Sequence, residues 1–281
     1  MALRTKKLTP HIGVEVMDID LATRPDDATV REIYELWLDN IMVVFRGQSL
    51  DQEQLLQVTR YFGTPGGNAR PKEYRTSGQH DMLPGIMLIS NIRANGEPIG
   101  ALPDGDMMFH HDMIHADIPD KATCLYAVEI PSEGGNTRFA SGYAAYETLD
   151  SDLRASLEGR RAFHHYNYGS QHRGDDIGTP AFSESEHPVF RTHPETGRKA
   201  IYVDRLITAS IVGMEEGESE AVLTRLFDHS EKDEFVYEHV WRKGDLLLWD
   251  NRCSMHARRD FPSTERRLLW RTTVSSEDRP A

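Results

Sequence analysis

The sequence predicts a mostly β protein with peripheral helices, built as a single domain over residues 1–281 on a jelly-roll sandwich or barrel. Short apolar or alternating segments, separated by turn residues, recur from residue 12 to residue 274. Helical periodicity is confined to a few short stretches. The 281 residues contain no Gly/Ser-rich linker, repeat or low-complexity tract that would divide the chain.

The N-terminal part of the sequence predicts alternating strands and helices, followed by a loop. Residues 12–20 alternate apolar and polar side chains, which predicts a half-buried strand, and Val30–Trp37 has helical spacing. Ile41–Phe45 predicts a compact buried strand, and Asp51–Phe62 a second helix. Gly63–Gly85 is rich in Gly, Pro and polar residues without a clear period, which predicts a long loop and a candidate substrate lid.

The rest of the sequence predicts short strands and two further helical segments. The strands are predicted at residues 86–92, 122–130, 137–139, 199–203, 235–240, 245–249 and 267–274. Helical spacing is found near residues 143–158 and 216–227. Many short strands joined by turns are typical of sandwiches and barrels.

Charge and composition exclude several functional classes. The formal net charge of -13 argues against nucleic acid as a partner, although it allows a local basic pocket for a small acidic molecule. Leu246–Trp249 is too short to span a bilayer and Met1–Arg4 has no apolar secretory core, which predicts a cytoplasmic protein without a membrane partner. Two cysteines, Cys124 and Cys253, exclude a disulfide framework and a cysteine-only zinc site.

The spacing of histidines and acids suggests a metal site. His110 and Asp112 lie two residues apart, and such residues in a strand project from the same face. Together with His256 from a distant strand they would form a facial two-histidine, one-carboxylate site for Fe(II). The same spacing recurs at His115 and Asp117, and His111 lies beside the first pair, so spacing alone does not choose among them.

Two arginines supply a further constraint. Arg267 and Arg271 follow His256 by eleven and fifteen residues and would share one face of a strand. Buried guanidinium groups need anionic partners, and a dicarboxylate co-substrate would satisfy both of them. The alternative is that they pair with surface acids such as Glu147 or Glu215.

The sequence resembles the taurine dioxygenase and dichlorophenoxyacetate dioxygenase (TauD/TfdA) family of Fe(II)- and 2-oxoglutarate-dependent enzymes, from Ile12 to Thr273. The matching segments occur in the family's order and are Val44-Phe45-Arg46-Gly47-Gln48, Phe109-His110-His111-Asp112, Glu133-Gly134-Gly135-Asn136-Thr137, Arg191-Thr192-His193-Pro194-Glu195-Thr196-Gly197, and Gly244-Asp245 through Asp250-Asn251-Arg252 to His256. This resemblance implies a double-stranded β-helix of the clavaminate-synthase-like kind, and it selects His110, Asp112 and His256 as the Fe(II) ligands.

The resemblance also implies the co-substrate site and the reaction. Thr137 and Arg267 stand where the family binds the distal carboxylate of 2-oxoglutarate, and Arg271 where it places a second arginine beside the co-substrate or an acidic substrate. The implied reaction uses O2 and 2-oxoglutarate to hydroxylate a small, anionic substrate, a carboxylate or sulfonate, with release of succinate and CO2. Where the hydroxylated carbon bears oxygen or sulfur, a C–O or C–S bond would break.

The sequence departs from the family at two places. Phe109 stands where the family usually has Trp, and residues 68–71 lack the His-Pro that sulfonate users place over the substrate. Arg70 in that loop could face an anionic group or be solvated. Tyr202 stands at an aromatic pocket position, although a core tyrosine is equally compatible.

Two other functional classes compete with the dioxygenase interpretation. A zinc-dependent hydrolase could use the same ligand types, but the sequence has no HExxH helix and would leave the arginines unexplained. A non-catalytic jelly-roll binding protein is the other alternative, and the intact ligand set argues against it. The resemblance also implies a homo-oligomer, a dimer or tetramer.

Overall fold

The computed structural model describes residues 3–67, 76–101, 105–167, 169–173, 175 and 181–281, which form a mostly β structure with few helices. The strands are β1 Arg4–Lys7, β2 Val14–Met17, β3 Met42–Phe45, β4 Met87–Ser90, β5 Arg93–Ala94, β6 Glu97–Pro98, β7 Met107–His110, β8 Ala122–Glu129, β9 Thr137–Ser141, β10 Arg161–Asn167, β11 Ala181–Pro188, β12 Phe190–Thr192, β13 Lys199–Ile201, β14 Thr208–Ile211, β15 Val236–His239, β16 Leu246–Asp250, β17 Ser254–Arg258 and β18 Leu268–Val274. The α-helices are α1 Asp27–Asn40, α2 Gln52–Arg60, α3 Gly142–Thr148, α4 Ser151–Leu157 and α5 Glu216–Ser230, and short 3₁₀ helices form at Ser77–Asp81 and Asp233–Phe235.

Two sheets dominate the structure and pack face to face. The larger sheet has seven strands in the order β1-β2-β3-β16-β8-β18-β4, and the smaller has four in the order β15-β9-β17-β7. Leu125, Leu247 and Leu269 of the larger sheet share a core with Phe139 of the smaller one. The space between these facing sheets is where the candidate site lies.

Strand β16 shows why its sequence is a continuous apolar run rather than an alternating one. Leu246 and Leu248 face helices α1 and α2, which cover the outer side of the larger sheet, whereas Leu247 faces the smaller sheet. Successive side chains point to opposite faces, and both faces of this strand are covered.

The first two helices begin at side-chain caps that the sequence provides. The Asp26 side chain accepts a hydrogen bond from the Thr29 amide, 2.8 Å away, at the start of α1. Asp51 and Gln54 form a capping box at the start of α2. The apolar stripe of each helix, including Trp37 and Leu55, then packs on the outer side of the larger sheet.

Most predicted strands and helices are present, with different bounds. The predicted helix at 143–158 is two helices, because Asp150 caps a new helix after Leu149. The strand predicted at 12–20 is limited to Val14–Met17, since Asp18 adopts a positive φ of 59°. The predicted loop at 63–85 contains one short regular element, the 3₁₀ helix Ser77–Asp81. Residues 68–75 of it lie outside the described residues.

Several strands were not predicted because they lack a clear burial pattern in the sequence. Strand β1 is fully exposed and carries charged residues, as edge strands commonly do. Strands β7 and β17, which position the candidate site, are short segments of mixed polarity. In the described ranges, no helix combines the length and the apolar character needed to cross a bilayer.

Candidate active site

Three predicted ligand residues meet between the two sheets. His110 is the last residue of β7, and it lies directly opposite His256 of β17 in the antiparallel register. The two imidazole rings are 4.2 Å apart between centroids, and Nε2 of His110 is 4.0 Å from Oδ1 of Asp112. One ligand atom from each of the three residues lies within 4.8 Å of the other two.

The carboxylate reaches the cluster in a way that the strand pattern did not predict. Asp112 follows the end of β7 and lies in a turn, and Met113 next to it has a positive φ of 61°. The expectation that His110 and Asp112 project from the same face of one strand is therefore wrong. The turn after the strand brings the Asp112 carboxylate beside the two imidazoles.

Hydrogen bonds orient His110 and Asp112 so that one atom of each remains available to a metal. Nδ1 of His110 donates to the Met108 carbonyl at 2.9 Å, which leaves Nε2 as a lone-pair donor. Oδ2 of Asp112 accepts from the Thr123 hydroxyl at 2.5 Å and from Nη2 of Arg271 at 2.8 Å. Oδ1 is then the oxygen nearest the histidines. This donor set fits a facial Fe(II) site with further coordination positions open.

The protonation states suit metal binding. Burial raises the pKa of Asp112, but the positive charge of Arg271 and the neighbouring imidazoles more than offset it and hold that pKa well below its usual range. Burial, together with the adjacent His110, lowers the pKa of His256 to about 3. At neutral pH the carboxylate is therefore ionised and His256 is an unprotonated ligand.

The alternative ligands raised by spacing are engaged elsewhere. Nδ1 of His111 lies 3.1 Å from Oδ2 of Asp204, and Nδ1 of His115 lies 2.6 Å from the Ser183 hydroxyl. Asp117 is exposed and pairs with Arg279 at 2.5 Å. None of the three belongs to the cluster with His256, so the geometry favours the set that the resemblance selected.

Arg267 lines the same cavity and is almost fully buried, with 2% of its surface exposed. Its Nη2 donates to the Gly135 carbonyl at 3.3 Å, but its Nε has no hydrogen-bond partner among the described residues. Burial lowers the pKa of this guanidinium to about 9, and the charge of Arg258 contributes. An anion in the cavity would offset the cost of burying this charge.

The surface acids considered as alternative partners do not pair with these arginines. Glu147 pairs with Arg198, and the Glu215 side chain caps the start of α5. Thr137 lines the same cavity as Arg267, and its Oγ1 accepts a hydrogen bond from Nε1 of Trp241 at 3.0 Å. Because indole N–H is only a donor, the Thr137 hydroxyl keeps its own proton for a ligand.

Comparison with known proteins agrees with this geometry. The profile of the family described as "Taurine catabolism dioxygenase TauD, TfdA family" matches residues 4–273. The chain belongs to the TauD/TfdA family of dioxygenases. It is an oxidoreductase of the type that uses Fe(II), 2-oxoglutarate and O2, rather than a zinc-dependent hydrolase or a binding protein without turnover.

Three relatives illustrate the range of the family. The chain is 32% identical to the alpha-ketoglutarate-dependent 2,4-dichlorophenoxyacetate dioxygenase of Cupriavidus pinatubonensis, over 98% of each chain. It is 34% identical to pentalenolactone F synthase of Streptomyces avermitilis, over 96% of this chain and 92% of the relative. A crystal structure of a taurine dioxygenase from Burkholderia xenovorans superposes with a TM-score of 0.81 at 31% identity, covering 100% of this chain and 93% of that one.

The cavity of this TauD/TfdA dioxygenase encloses about 250 Å³ and is lined by both apolar and charged residues. Apolar lining comes from Met87, Ile89, Met107, Leu125, Ile207 and Trp249. Among the described residues, the charged lining consists of three guanidinium groups, Arg258, Arg267 and Arg271, and one carboxylate, Asp112. The cavity is thus locally cationic in an acidic protein.

Sequence reasoning missed Arg258 as a cavity residue of this dioxygenase. Its Nε and Nη2 donate to the Gly105 carbonyl at 2.9 and 2.6 Å. The signal was present, since Arg258 lies two residues after His256 on β17 and alternate strand residues share a face.

The remaining predicted substrate residues have different positions. Tyr202 is fully buried, with its ring 4.7 Å from that of His111, and it does not line the described cavity. Arg70 lies outside the described residues. Phe109 is buried among Ala140, Met255 and Ala257 and does not belong to the described lining of the cavity.

Proposed function

We propose that this dioxygenase binds Fe(II) through His110, Asp112 and His256 and hydroxylates a small organic anion, releasing succinate and CO2. The observation that carries the proposal is the buried guanidinium of Arg267, whose Nε lacks a partner in the described part of the chain, in the same cavity as the three ligands. When bound, Fe(II) with O2 and 2-oxoglutarate supplies the oxidising power for breaking a C–H bond.

The charges of the cavity support binding of the co-substrate at one end. Arg267 and Thr137 offer N–H and O–H donors to a carboxylate, while the backbone of Gly135 holds the guanidinium in place. A guanidinium grips a carboxylate with parallel hydrogen bonds, and burial strengthens the pair. These residues would fix the distal carboxylate of 2-oxoglutarate and so orient its other end toward the metal ligands.

The remaining positive charge supports an anionic primary substrate. Arg271 lies beside Asp112, so an anionic group near Arg271 would place the rest of a small molecule next to the metal ligands. The 2,4-dichlorophenoxyacetate and taurine named for two relatives carry a carboxylate and a sulfonate. We infer a substrate of that kind, with C–O or C–S cleavage where the hydroxylated carbon bears oxygen or sulfur.

The apolar part of the cavity supports oxidation rather than hydrolysis. Met87, Ile89 and Leu125 offer no group that could activate water, and they would exclude it from around the attacked C–H bond. We further infer that the two facing sheets form the double-stranded β-helix. A single domain, a cytoplasmic location, a homo-oligomer and a lid role for residues 63–85 stay predictions.

Succinate release tests the proposed function. Purified protein with Fe(II), 2-oxoglutarate and O2 is supplied with small carboxylates and sulfonates, and succinate is measured against a reaction without the anion. We expect at least one anion to stimulate succinate release, with loss of stimulation in His256→Ala and retention in His11→Ala, which changes an exposed histidine that is not among the residues lining the cavity. Stimulation by neutral compounds but by none of the anions would contradict the proposal.

A further inference from the structure

Arg258 lies in the wall of the cavity, and the proposed function gives it no role. It is the last residue of β17, two positions after His256, and both residues line the cavity. Alternate residues of a strand share a face, so the two side chains point to the same side of the smaller sheet. A guanidinium keeps its charge in proteins. Arg258 therefore adds a fixed positive charge to the cavity wall.

The register of the smaller sheet places Arg258 beside the proposed site for the far end of the co-substrate. Arg258 of β17 lies directly opposite Thr137 of β9, just as His256 lies opposite Phe139. Opposed residues of an antiparallel pair share a face, with Cβ atoms about 5 Å apart. Arg258 is thus a neighbour of the hydroxyl that we propose for the distal carboxylate, and Thr137 lines the same cavity.

Arg267 reaches the same end of the cavity from the larger sheet. Its Nη2 donates to the carbonyl of Gly135, two residues before Thr137, at 3.3 Å. Burial and the nearby charge of Arg258 together lower the pKa of Arg267 to about 9, so the two cations lie close enough to interact. Two neighbouring guanidinium groups from different sheets make this end of the cavity attractive to an anion.

The spacing along β17 agrees with the length of the co-substrate. A strand rises about 3.3 Å per residue, so the side chains of His256 and Arg258 are roughly 7 Å apart along the strand. A five-carbon dicarboxylate is of comparable length. One of its carboxylates can therefore lie near the proposed metal ligands while the other lies between Thr137, Arg258 and Arg267.

We propose that Arg258 is a second guanidinium for the distal carboxylate of 2-oxoglutarate, acting together with Arg267 and Thr137. The inference rests on the proposed function and deepens it, because it assigns a further binding residue to the same site. The carbonyl of Gly105 accepts from Nε and Nη2 of Arg258, at 2.9 and 2.6 Å, and so orients the guanidinium in the wall. A 2-oxo acid that lacks the second carboxylate should gain nothing from Arg258.

Two substitutions separate the charge of Arg258 from its contact with Gly105. Arg258→Gln removes the charge but keeps an amide N–H that can donate to the Gly105 carbonyl, whereas Arg258→Lys keeps the charge. Arg259→Gln is the matched control, because Arg259 is exposed and pairs with Glu238 at 3.6 Å. Fe(II) affinity without a 2-oxo acid should be unchanged in all three variants, which checks that the metal site is intact.

Two 2-oxo acids of equal carbon number serve as probes. 2-Oxoglutarate is compared with 2-oxopentanoate, which has a methyl group in place of the distal carboxylate. The readout is the Kd from titration of the visible band of the anaerobic Fe(II) complex. The band depends on the 2-oxo carboxylate that both acids share, so both can be followed in the same way, and no turnover is needed.

Arg258→Gln should weaken 2-oxoglutarate binding by about tenfold, the effect of one hydrogen bond to a charged group. Its Kd for 2-oxopentanoate should stay within about twofold of the wild-type value, since that acid has no charge for Arg258 to meet. Arg258→Lys should recover part of the loss, and Arg259→Gln should bind both acids normally.

Two results would overturn the role of Arg258 and leave the proposed function intact. Equal weakening of both acids in Arg258→Gln would assign Arg258 to holding the structure around Gly105. Unchanged binding of 2-oxoglutarate in that variant would show that the distal carboxylate does not depend on Arg258. Absence of the band in the wild type with 2-oxoglutarate and bound iron would overturn the proposed function and this inference with it.

Discussion

Two clusters in this dioxygenase, one fully and one partly buried, bring histidine and aspartate together, and they differ in what their ligand atoms already contact. His110, Asp112 and His256 form one, and His193, Asp250 and Cys253 form the other. In each, one possible ligand atom per residue lies within 4.8 Å of the others. Proximity alone therefore does not distinguish a metal site from a structural one.

The second cluster has no atoms left for a metal. Both oxygens of Asp250 accept from the Arg252 guanidinium, at 2.9 and 2.6 Å, and Oδ2 also accepts from Nε2 of His193 at 3.0 Å. Nδ1 of His193 accepts from the amides of Glu195 and Thr196. Burial raises the pKa of the Cys253 thiol well above its usual value, so it stays protonated. This cluster therefore stabilises the fold and does not bind a ligand.

The first cluster has free donor atoms and borders a cavity. Nε2 of His110 and Oδ1 of Asp112 are directed toward one another by hydrogen bonds made through their other polar atoms. The comparison teaches that unused lone pairs beside a cavity, and not residue types alone, indicate a metal site. Four predictions test this difference.

The largest effect is expected from removing a ligand of the first cluster. His256→Ala should lower Fe(II) affinity by more than roughly 100-fold, since loss of an outer-shell partner alone commonly costs 10–100-fold. Cys253→Ser should leave that affinity within about twofold, because no lone pair of its cluster is available. Anaerobic titration with Fe(II) measures both. Similar losses in the two variants would contradict the distinction between the clusters.

A substitution in the second cluster should instead lower the stability of the fold. Asp250→Asn leaves Arg252 without its main partner, and the free energy of unfolding should fall by about 3–5 kcal/mol, as measured by urea denaturation. Burial raises the pKa of Asp250, but Arg252 and His193 more than offset it and hold that pKa well below the usual value.

This lowered pKa fixes the direction of the pH dependence. The stabilisation by Asp250 is present above about pH 3.9, the pKa of its carboxyl group in the unfolded chain. It is lost as the pH falls toward the lower pKa that the group has in the folded protein. The wild type should therefore lose stability more steeply than Asp250→Asn as the pH falls below about 4. If the free energy of unfolding of the two proteins changed with pH in the same way, the titration of Asp250 would not be coupled to folding.

Arg267 and Arg266 are adjacent arginines with opposite surroundings. Arg267 is buried with Nε unpartnered among the described residues, whereas Arg266 is exposed and pairs with Glu129 at 2.7 Å. Arg267→Ala should weaken 2-oxoglutarate binding by about 2–4 kcal/mol, while Fe(II) affinity without the co-substrate stays unchanged. Arg266→Ala is the matched control and should bind 2-oxoglutarate normally. Anaerobic titration of the visible band measures each, and equal effects would argue against an anion at Arg267.

The smallest effect is expected from substituting Thr123, which orients the Asp112 carboxylate through a hydrogen bond. Nδ2 of Asn251 donates to Thr123 Oγ1 at 2.9 Å, and the Thr123 hydroxyl donates to Asp112. Thr123→Val should reduce Fe(II) affinity about tenfold, and Thr123→Ser, which keeps the hydroxyl, should retain it. A normal affinity in Thr123→Val would show that Arg271 alone orients the carboxylate.

Most of the fold could be predicted from sequence, because local patterns carry it, whereas the proposed ligand set was selected by the family resemblance. Strand β16 is an apolar run, the caps of α1 and α2 are readable, and His110, Asp112 and His256 lie in recognisable segments. The pairing of β7 with β17 could not be predicted, because register between segments about 150 residues apart depends on the whole sheet.

Contacts across the site were also beyond sequence reasoning. The ion pair between Arg271 and Asp112 joins β18 of the larger sheet to a turn after β7 of the smaller one, and no local pattern encodes that crossing. Arg258 was within reach, since it shares a strand face with His256, but the strand itself was not predicted. The His111–Asp204 pair likewise joins residues far apart in sequence.

The visible spectrum of the anaerobic protein with Fe(II) and 2-oxoglutarate tests the central claim most directly. Bidentate binding of a 2-oxo acid to Fe(II) gives a weak charge-transfer band, which requires both the metal ligands and the anion site. We predict that the wild type and Cys253→Ser show the band and that His256→Ala does not. Iron bound by the wild type without the band, or the band retained in His256→Ala, would contradict the assignment of this cluster as the metal centre.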